Sequence, residues 1–307
     1  MGSDNKPRTA EGYDDLVTHA CERALLTLLG AFGTLGDNLR LIGGLVPRYL
    51  TPEAPPDVPP HVGTTDVDIV LDLAVMSTGE NYDALAKQLE DRGFRRHSND
   101  GKPSSWQWRL DVGSVPVLVE FLSDGGTTPK PKQVPLAGED ISTLAIPHAG
   151  IVCDWYITRE VTGQPLEGGI LTRKVHIADT TAFIILKALA LNKRYAAKDA
   201  ADLIHVLQYA GNVDEIANSF VEKKLSEWHD AAIEDGIQAL RYSFVHPNRN
   251  SDSYKCDGPV KYASFHHADA DEQTRVEAQR YAAALVKQFL DTYESQLKAT
   301  RKASRRA

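Results

Sequence analysis

Cysteine is scarce and scattered in this chain. Its 307 residues include three, Cys21, Cys153 and Cys256, and no two share the short spacing of a zinc site or a disulfide framework. A reduced, cytoplasmic protein is therefore expected. Long apolar runs are also missing. None approaches the roughly 18 residues that span a bilayer, and the polar opening MGSDNKPRTAEG lacks the apolar core of a secretion signal. No membrane partner is expected. Excess positive charge is absent too: the net charge of −8 argues against a globally basic nucleic-acid binder and leaves room only for a local patch. No internal repeat is visible. What remains is ordinary globular composition, 42% hydrophobic and 25% charged, in a chain long enough for two packed subdomains.

The most informative stretch runs from Leu41 to Leu73. TDVDIVLDL is rich in β-branched residues, has no breaker and reads as a strand. Side chains alternate along a strand, so Asp66 and Asp68 share one face while Val67, Ile69 and Leu71 share the other. Two carboxylates roughly 6–7 Å apart at the backbone can converge on one hard cation or a close pair. Burying that much like charge without a cation is costly. Upstream, Gly43 and Gly44 end the apolar run LRLIGGL, which suits a turn whose backbone N–H groups approach a phosphate. Taken singly, the pieces have plain alternatives: a Gly-Gly turn and a solvated strand face.

Together, the glycine pair and the Asp-x-Asp strand resemble the signature of the nucleotidyltransferase superfamily, which has the DNA polymerase beta-like fold. One departure is visible. Gly44 and Asp66 stand 22 positions apart, wider than the family's gap, and the Pro-rich PEAPPDVPP lies between them. Such a segment reads as an extended surface loop.

The rest of the first half fits an α/β module. Asp14 to Phe32 carries apolar residues at helical spacing and stops at Gly33. A second helix is expected near Asn81–Arg92. WQWRL and VPVLVEFLSD alternate as a hairpin around Asp111-Val-Gly-Ser, while residues 125–150 read as a loop or crossover. VCDWYITREV and KVHIAD read as closing strands. Trp106, Trp108 and Trp155 read as core, and His148 and His176 as structural. Glu120, flanked by Val119 and Phe121, needs a partner. The superfamily carries its third metal carboxylate on a neighbouring strand, and Glu120 matches that position. A salt bridge to Arg109, or an edge strand in water, would also account for it. Asp124 is the fallback ligand, and Asp72 reads as peripheral.

From Asp179 the pattern is helical, with helices expected at the segment opened by Asp179 or Thr180, at KDAADLIHVLQYA, and near Val213–Lys224, Leu225–Val245 and Asp271–Lys298. HPNRNSDSYKCDGP reads as a loop. ILKALALNKRYAAKDAADL resembles a motif of the AbiEii/MenT-type toxin nucleotidyltransferases, the matching residues being Lys187, Arg194, Lys198, Asp199, Asp202 and Leu203. Alone, the segment is equally a helix with solvated charges, and Asp202 suits the positive end of a helix dipole. The resemblance spans roughly residues 38–210.

The pattern divides the chain into an α/β module over residues 1–175 and a helical domain over 176–307, and the resemblance implies that the first is an α+β nucleotidyltransferase-fold mixed sheet with flanking helices. It implies that Asp66, Asp68 and Glu120 hold two Mg²⁺ ions, and that Gly43 and Gly44 meet the phosphates of a nucleoside triphosphate. Lys187 would neutralise charge on them, with Arg194 and Asp199 at the nucleotide. Thr64 and Thr65 could add hydroxyl contacts. The acceptor it implies is tRNA or another RNA, and the partner a cognate antitoxin protein. The basic tail, Lys298, Arg301, Lys302, Arg305 and Arg306, could attract RNA phosphate, or be a frayed terminus. Two alternatives stand beside this: an aminoglycoside-type small-molecule nucleotidyltransferase, and a non-catalytic nucleotide-binding regulator.

Overall fold

Capping and alternation account for the first elements. The computed structural model describes residues 6–51, 56–72, 85–99, 101–128, 130–136, 140–194, 196–247 and 252–304. The Asp14 side chain accepts the Leu16 N–H at 2.8 Å and starts helix α1, Asp15–Phe32, which Gly33 closes at φ 56°. Helix α2, Leu85–Asp91, buries Leu85 and Leu89 as their spacing predicts; residues 81–84 of the expected helix lie outside the described residues.

Among the described residues, nine strands form one mixed, open sheet: β1 Leu39–Ile42, β2 Asp66–Leu71, β3 Arg95–Asn99, β4 Lys102–Val112, β5 Val115–Asp124, β6 Lys132–Pro135, β7 Ser142–Ile146, β8 Tyr156–Gly163 and β9 Leu171–Ala178. The main path is β3-β4-β5-β2-β1-β9-β8, with β7 pairing the end of β5 and carrying β6. β2 runs parallel to β5 and β1 parallel to β9, whereas β4–β5 is the expected antiparallel hairpin. Val67, Ile69, Val119 and Phe121 are buried on the side that meets α1, where the Phe32 and Phe121 rings stand 5.8 Å apart. The opposite face carries the aspartates.

The chain divides into two compact units. The sheet unit is Tyr13–Tyr49 with Val62–Asp179; the helical unit is Thr180–Ala307 with Met1–Gly12 and Leu50–His61. The expected boundary at 175/176 therefore falls inside β9, whose pairing with β8 runs on to Ala178. Part of the Pro-rich insert belongs to the helical unit because its ends are tied there: Thr51 to His205 at 2.9 Å and His61 to Asp202 at 2.9 Å. Residues 52–55 of that insert lie outside the described ones.

Within the helical unit, α3 Thr180–Lys193 packs on α4 Ala197–Tyr209 and on α6 Asp230–Phe244. α3 is apolar nearly all round, as a central helix is. Gly236 lets α6 approach closely, since a Cβ there would lie 2.8 Å from Ile185. α5 Val213–Leu225 packs on α8 Glu272–Ser304, with the Phe220 and Phe289 rings 5.0 Å apart. α7 Asp257–His266 packs on both α4 and α8.

Several expectations need correction. The crossover 125–150 contains β6 and β7; the polar RRHSN, on which the sequence carried no expectation, forms β3 at the end of the main strand path. The expected strand VCDWYITREV opens instead in one helical turn, Ile151–Asp154, and β8 begins at Tyr156. α7 lies where a loop was expected to run on, and α6 opens at Asp230 rather than Leu225.

Candidate metal centre

The site is built by strand register. Asp68 on β2 stands directly beside Glu120 on β5; Glu120 in turn faces Gln107 on β4, and Asp68 faces Ile42 on β1. Partnered residues on neighbouring strands share a face, so Gln107, Glu120, Asp68 and Ile42 form one row across the sheet. Asp66 is two residues from Asp68 on the same face. Among the described residues, one group of acidic, histidine or cysteine side chains could hold a metal ion: Asp66, Asp68 and Glu120, each with a ligand atom within 4.8 Å of the others. Asp66 is buried, and Asp68 and Glu120 are half-buried.

The glycine turn closes on the same carboxylate. Gly43 follows β1 at φ 77°, and a Cβ there would fall 1.9 Å from Asp68 Oδ2. Only glycine fits that backbone and that gap. Gly44 is buried in the single 3₁₀ turn that follows.

Neighbours hold two of the carboxylates. The Thr64 hydroxyl lies 2.8 Å from Asp66 Oδ1, and Gln107 Nε2 lies 2.7 Å from Glu120 Oε1. A carboxylate only accepts, so both neighbours donate. Thr64 is pinned to α1 on both backbone groups: its N–H donates to Thr18 Oγ1 at 3.1 Å, and its carbonyl accepts from Cys21 Sγ at 3.7 Å. Thr65 is half-buried, and it is Thr64 that contacts Asp66. Arg109, a sequence-level candidate partner for Glu120, instead pairs with Asp111 at 2.7 Å. Asp124 accepts the Gly150 N–H at 3.0 Å and, like Asp72, stands outside the metal-competent group. Sequence reasoning missed Gln107. The available signal was its position between Trp106 and Trp108, which turns it to the side of the sheet where Glu120 lies.

The donor set fits a hard cation. It is all oxygen, from three carboxylates on two adjacent strands, with a close-packed glycine at the rim.

The residues of the second motif gather in the helical unit. Lys187 Nζ donates to Asp199 Oδ1 at 3.0 Å and to Asp202 Oδ2 at 2.7 Å. Arg194 grips Asp199 through Nε at 2.6 Å and Nη2 at 2.8 Å. Lys198 reaches Asp202 at 2.7 Å, and His61 Nε2 reaches it at 2.9 Å. Lys187 and Arg194 thus meet, as helical spacing predicts, but on Asp199. Burial alone would lower the Lys187 pKa; Asp202 and Asp199 outweigh it and raise it. Burial alone would raise both carboxyls. The charges of Lys187 and Arg194 bring Asp199 down to about 2, and Lys187 and Lys198 hold Asp202 well below its ordinary value. Burial lowers His61 despite its bond to Asp202. The helix-end role expected for Asp202 is therefore replaced: α4 opens at Ala197 with no side-chain cap, and Asp202 is fully buried among three donors.

Compared with protein-family models and with curated proteins, the chain matches none. Among the described residues no helix is long and apolar enough to cross a membrane.

Proposed function

We infer that this protein is a metal-dependent nucleotidyltransferase of the DNA polymerase beta-like superfamily, transferring a nucleoside monophosphate from a nucleoside triphosphate to an acceptor. The observation that carries the reading is the convergence of Asp66, Asp68 and Glu120 on one sheet face, with the Gly43-Gly44 turn packed on Asp68. Asp66, Asp68 and Glu120 would hold Mg²⁺, as two ions. With Mg²⁺ bound, such a site supplies charge neutralisation on a triphosphate and a lower pKa for an attacking hydroxyl. Gly43 lets the turn pack directly on Asp68, where any Cβ would strike the carboxylate, and the backbone N–H groups of Gly43 and Gly44 would meet the phosphates. The sheet face opposite α1 orients the three carboxylates, and the apolar face behind it keeps them rigid.

The acceptor in this reading is RNA, tRNA first, and the protein acts as the toxin of an AbiEii-like pair with an antitoxin partner. That part rests on the Lys187–Leu203 motif and on the exposed basic residues Lys298, Arg301 and Lys302 at the end of α8; Arg305 and Arg306 lie outside the described residues. Lys187 and Asp199 enter the account as the ion cluster that holds α3 to α4, with Arg194 as its more exposed cation.

Calorimetry with each nucleoside triphosphate, with and without Mg²⁺, tests the reading. Nucleotide binding that strengthens with Mg²⁺ and is lost in Asp68→Ala is expected. Binding indifferent to metal would overturn it in favour of a non-catalytic nucleotide binder.

A further inference from the structure

Two arginines stand beside the carboxylates on the same face of the sheet. Strand register sets a second row there, next to the row of Ile42, Asp68, Glu120 and Gln107. Asp66 pairs with Leu118, Leu118 with Arg109, and Arg109 with Arg95. Partnered residues share a face, so both guanidinium groups lie on the carboxylate side. Their neighbours turn the other way: the Arg96 guanidinium lies over the Trp108 ring, 4.8 Å from its centroid. Arg95 and Arg109 are exposed. Arg109 puts Nε and Nη2 on a single oxygen, Asp111 Oδ1, each at 2.7 Å. Among the described residues, that is the ion pair the two arginines make. Like charges directly opposite on neighbouring strands weaken their pairing, and a local rule is broken in this way mainly at functional sites. Adjacent strands are about 4.8 Å apart, so Arg109 stands two strands, roughly 10 Å, from Asp66. The carboxylates lie between this pair, on β4 and β3, and the Gly43-Gly44 turn at the end of β1.

We propose that Arg95 and Arg109 form a subsite for a backbone phosphate of the RNA acceptor, on the side of the carboxylates away from the glycine turn. A guanidinium fork matches phosphate oxygens in shape and charge. Contacts to backbone phosphate set where a nucleic acid lies without reading its sequence, which is what a transferase needs in order to bring an acceptor hydroxyl to its metal. The chain's net charge of −8 leaves RNA binding to a local patch of this kind. Asp111 moderates the patch by holding Arg109 until a phosphate competes for it. The same two charges repel a polycationic aminoglycoside, so the subsite favours RNA over the small-molecule acceptor. This inference rests on the nucleotidyltransferase reading above, and its test is separable from it.

The test is binding of labelled tRNA to the full chain, followed by fluorescence anisotropy over a range of salt, with calorimetric titration of each nucleoside triphosphate and Mg²⁺ alongside. The variants are Arg95→Gln, Arg109→Gln, Arg95→Lys, Asp111→Asn and Arg173→Gln, each checked for folding by circular dichroism. Arg173 on β9 is the control for charge alone: it is exposed and points to the opposite face, three residues before His176, the partner of Arg40. Arg95→Gln and Arg109→Gln should each weaken tRNA binding and flatten the slope of log affinity against log salt by roughly 0.7–0.9, the loss of one phosphate contact. Arg95→Lys keeps the charge and should keep the slope. Asp111→Asn releases Arg109 and should tighten tRNA binding. Triphosphate binding should be unchanged throughout. Wild-type slopes in both glutamine variants, or an equal flattening in Arg173→Gln, would overturn the subsite and leave the nucleotidyltransferase reading standing. Lost triphosphate affinity with tRNA binding intact would overturn it as well, since the arginines would then serve the nucleotide. Where a glutamine variant does not fold, Asp111→Asn decides: unchanged or weaker tRNA binding there overturns the subsite. A wild type that binds triphosphate with Mg²⁺ but no tRNA would overturn the subsite alone, and one that binds neither would overturn both.

Discussion

Replacing Asp202 with alanine should unfold the helical unit at markedly lower denaturant. Asp202 is fully buried and takes three donors: Lys187 at 2.7 Å, Lys198 at 2.7 Å and His61 at 2.9 Å. With it gone, Lys198 and His61 lose this partner, and Asp199, which Arg194 already grips, is the remaining carboxylate on Lys187. Lys187, its side chain 8% exposed, would be left with half of its compensation and no route to water. Breaking a buried ion pair by removing one partner costs about 3–5 kcal/mol. At about 2–4 °C per kcal/mol for a domain of this size, that is a Tm lowered by about 6–20 °C. The surface pair Lys287–Asp291 on α8 provides the scale for comparison: Lys287→Ala should cost no more than about 0.5 kcal/mol, because an exposed pair is screened and mobile. Urea titration followed by circular dichroism at 222 nm measures both. If Asp202→Ala shifts the midpoint no more than Lys287→Ala, the cluster does not hold α3 to α4 and the reasoning fails.

Three further outcomes follow from the same geometry. Gly43→Ala should abolish metal binding and destabilise the sheet unit by at least about 1–2 kcal/mol, since its Cβ would strike Asp68 and its φ is 77°; wild-type Mg²⁺ titration in a folded Gly43→Ala would contradict this. Stability should fall as pH drops from about 6.5 toward 4. Burial lowers His205 and His266 to about 4 and lowers His61, so the unfolded chain takes up protons that the folded one refuses. His205 is faced by Thr51, the His61 ring and Tyr209, with Asp202, Lys198 and His266 acting through charge. Each such group contributes a slope of up to about 1 kcal/mol per pH unit, discounted for partial exposure, and His205→Gln should flatten the urea-midpoint profile; an unchanged slope would remove His205 from the account. Expression in bacteria should slow growth, and Asp68→Ala should relieve the effect; equal growth of both strains would detach the toxin assignment.

The parts of this molecule that the sequence made legible are those where a local pattern and a local cause coincide. Asp14 before an apolar-periodic run, Gly33 after it, and a β-branched strand around Asp66 and Asp68 each needed no distant partner to be read. Glu120 was legible because a carboxylate between Val119 and Phe121 demands company, although its company is Gln107 rather than Arg109. β3, β6 and β7 were not legible: RRHSN and KQVP are polar edge segments whose strand character comes from pairing with β4 and β7. The Asp202 role was hidden for a similar reason. Its charge suits a helix start, and only the fold brings His61, from 141 positions upstream, within hydrogen-bonding distance.

The central claim is metal-dependent nucleotidyl transfer at Asp66, Asp68 and Glu120. Incubation of the full chain with total tRNA and each α-labelled nucleoside triphosphate, with Mg²⁺ or with EDTA, measures it most directly. The account predicts label on RNA with at least one nucleotide, only with Mg²⁺, and loss of that label in Asp68→Ala, Asp66→Ala and Glu120→Gln. Transfer that persists in EDTA, or at the wild-type rate in Asp68→Ala, would contradict it.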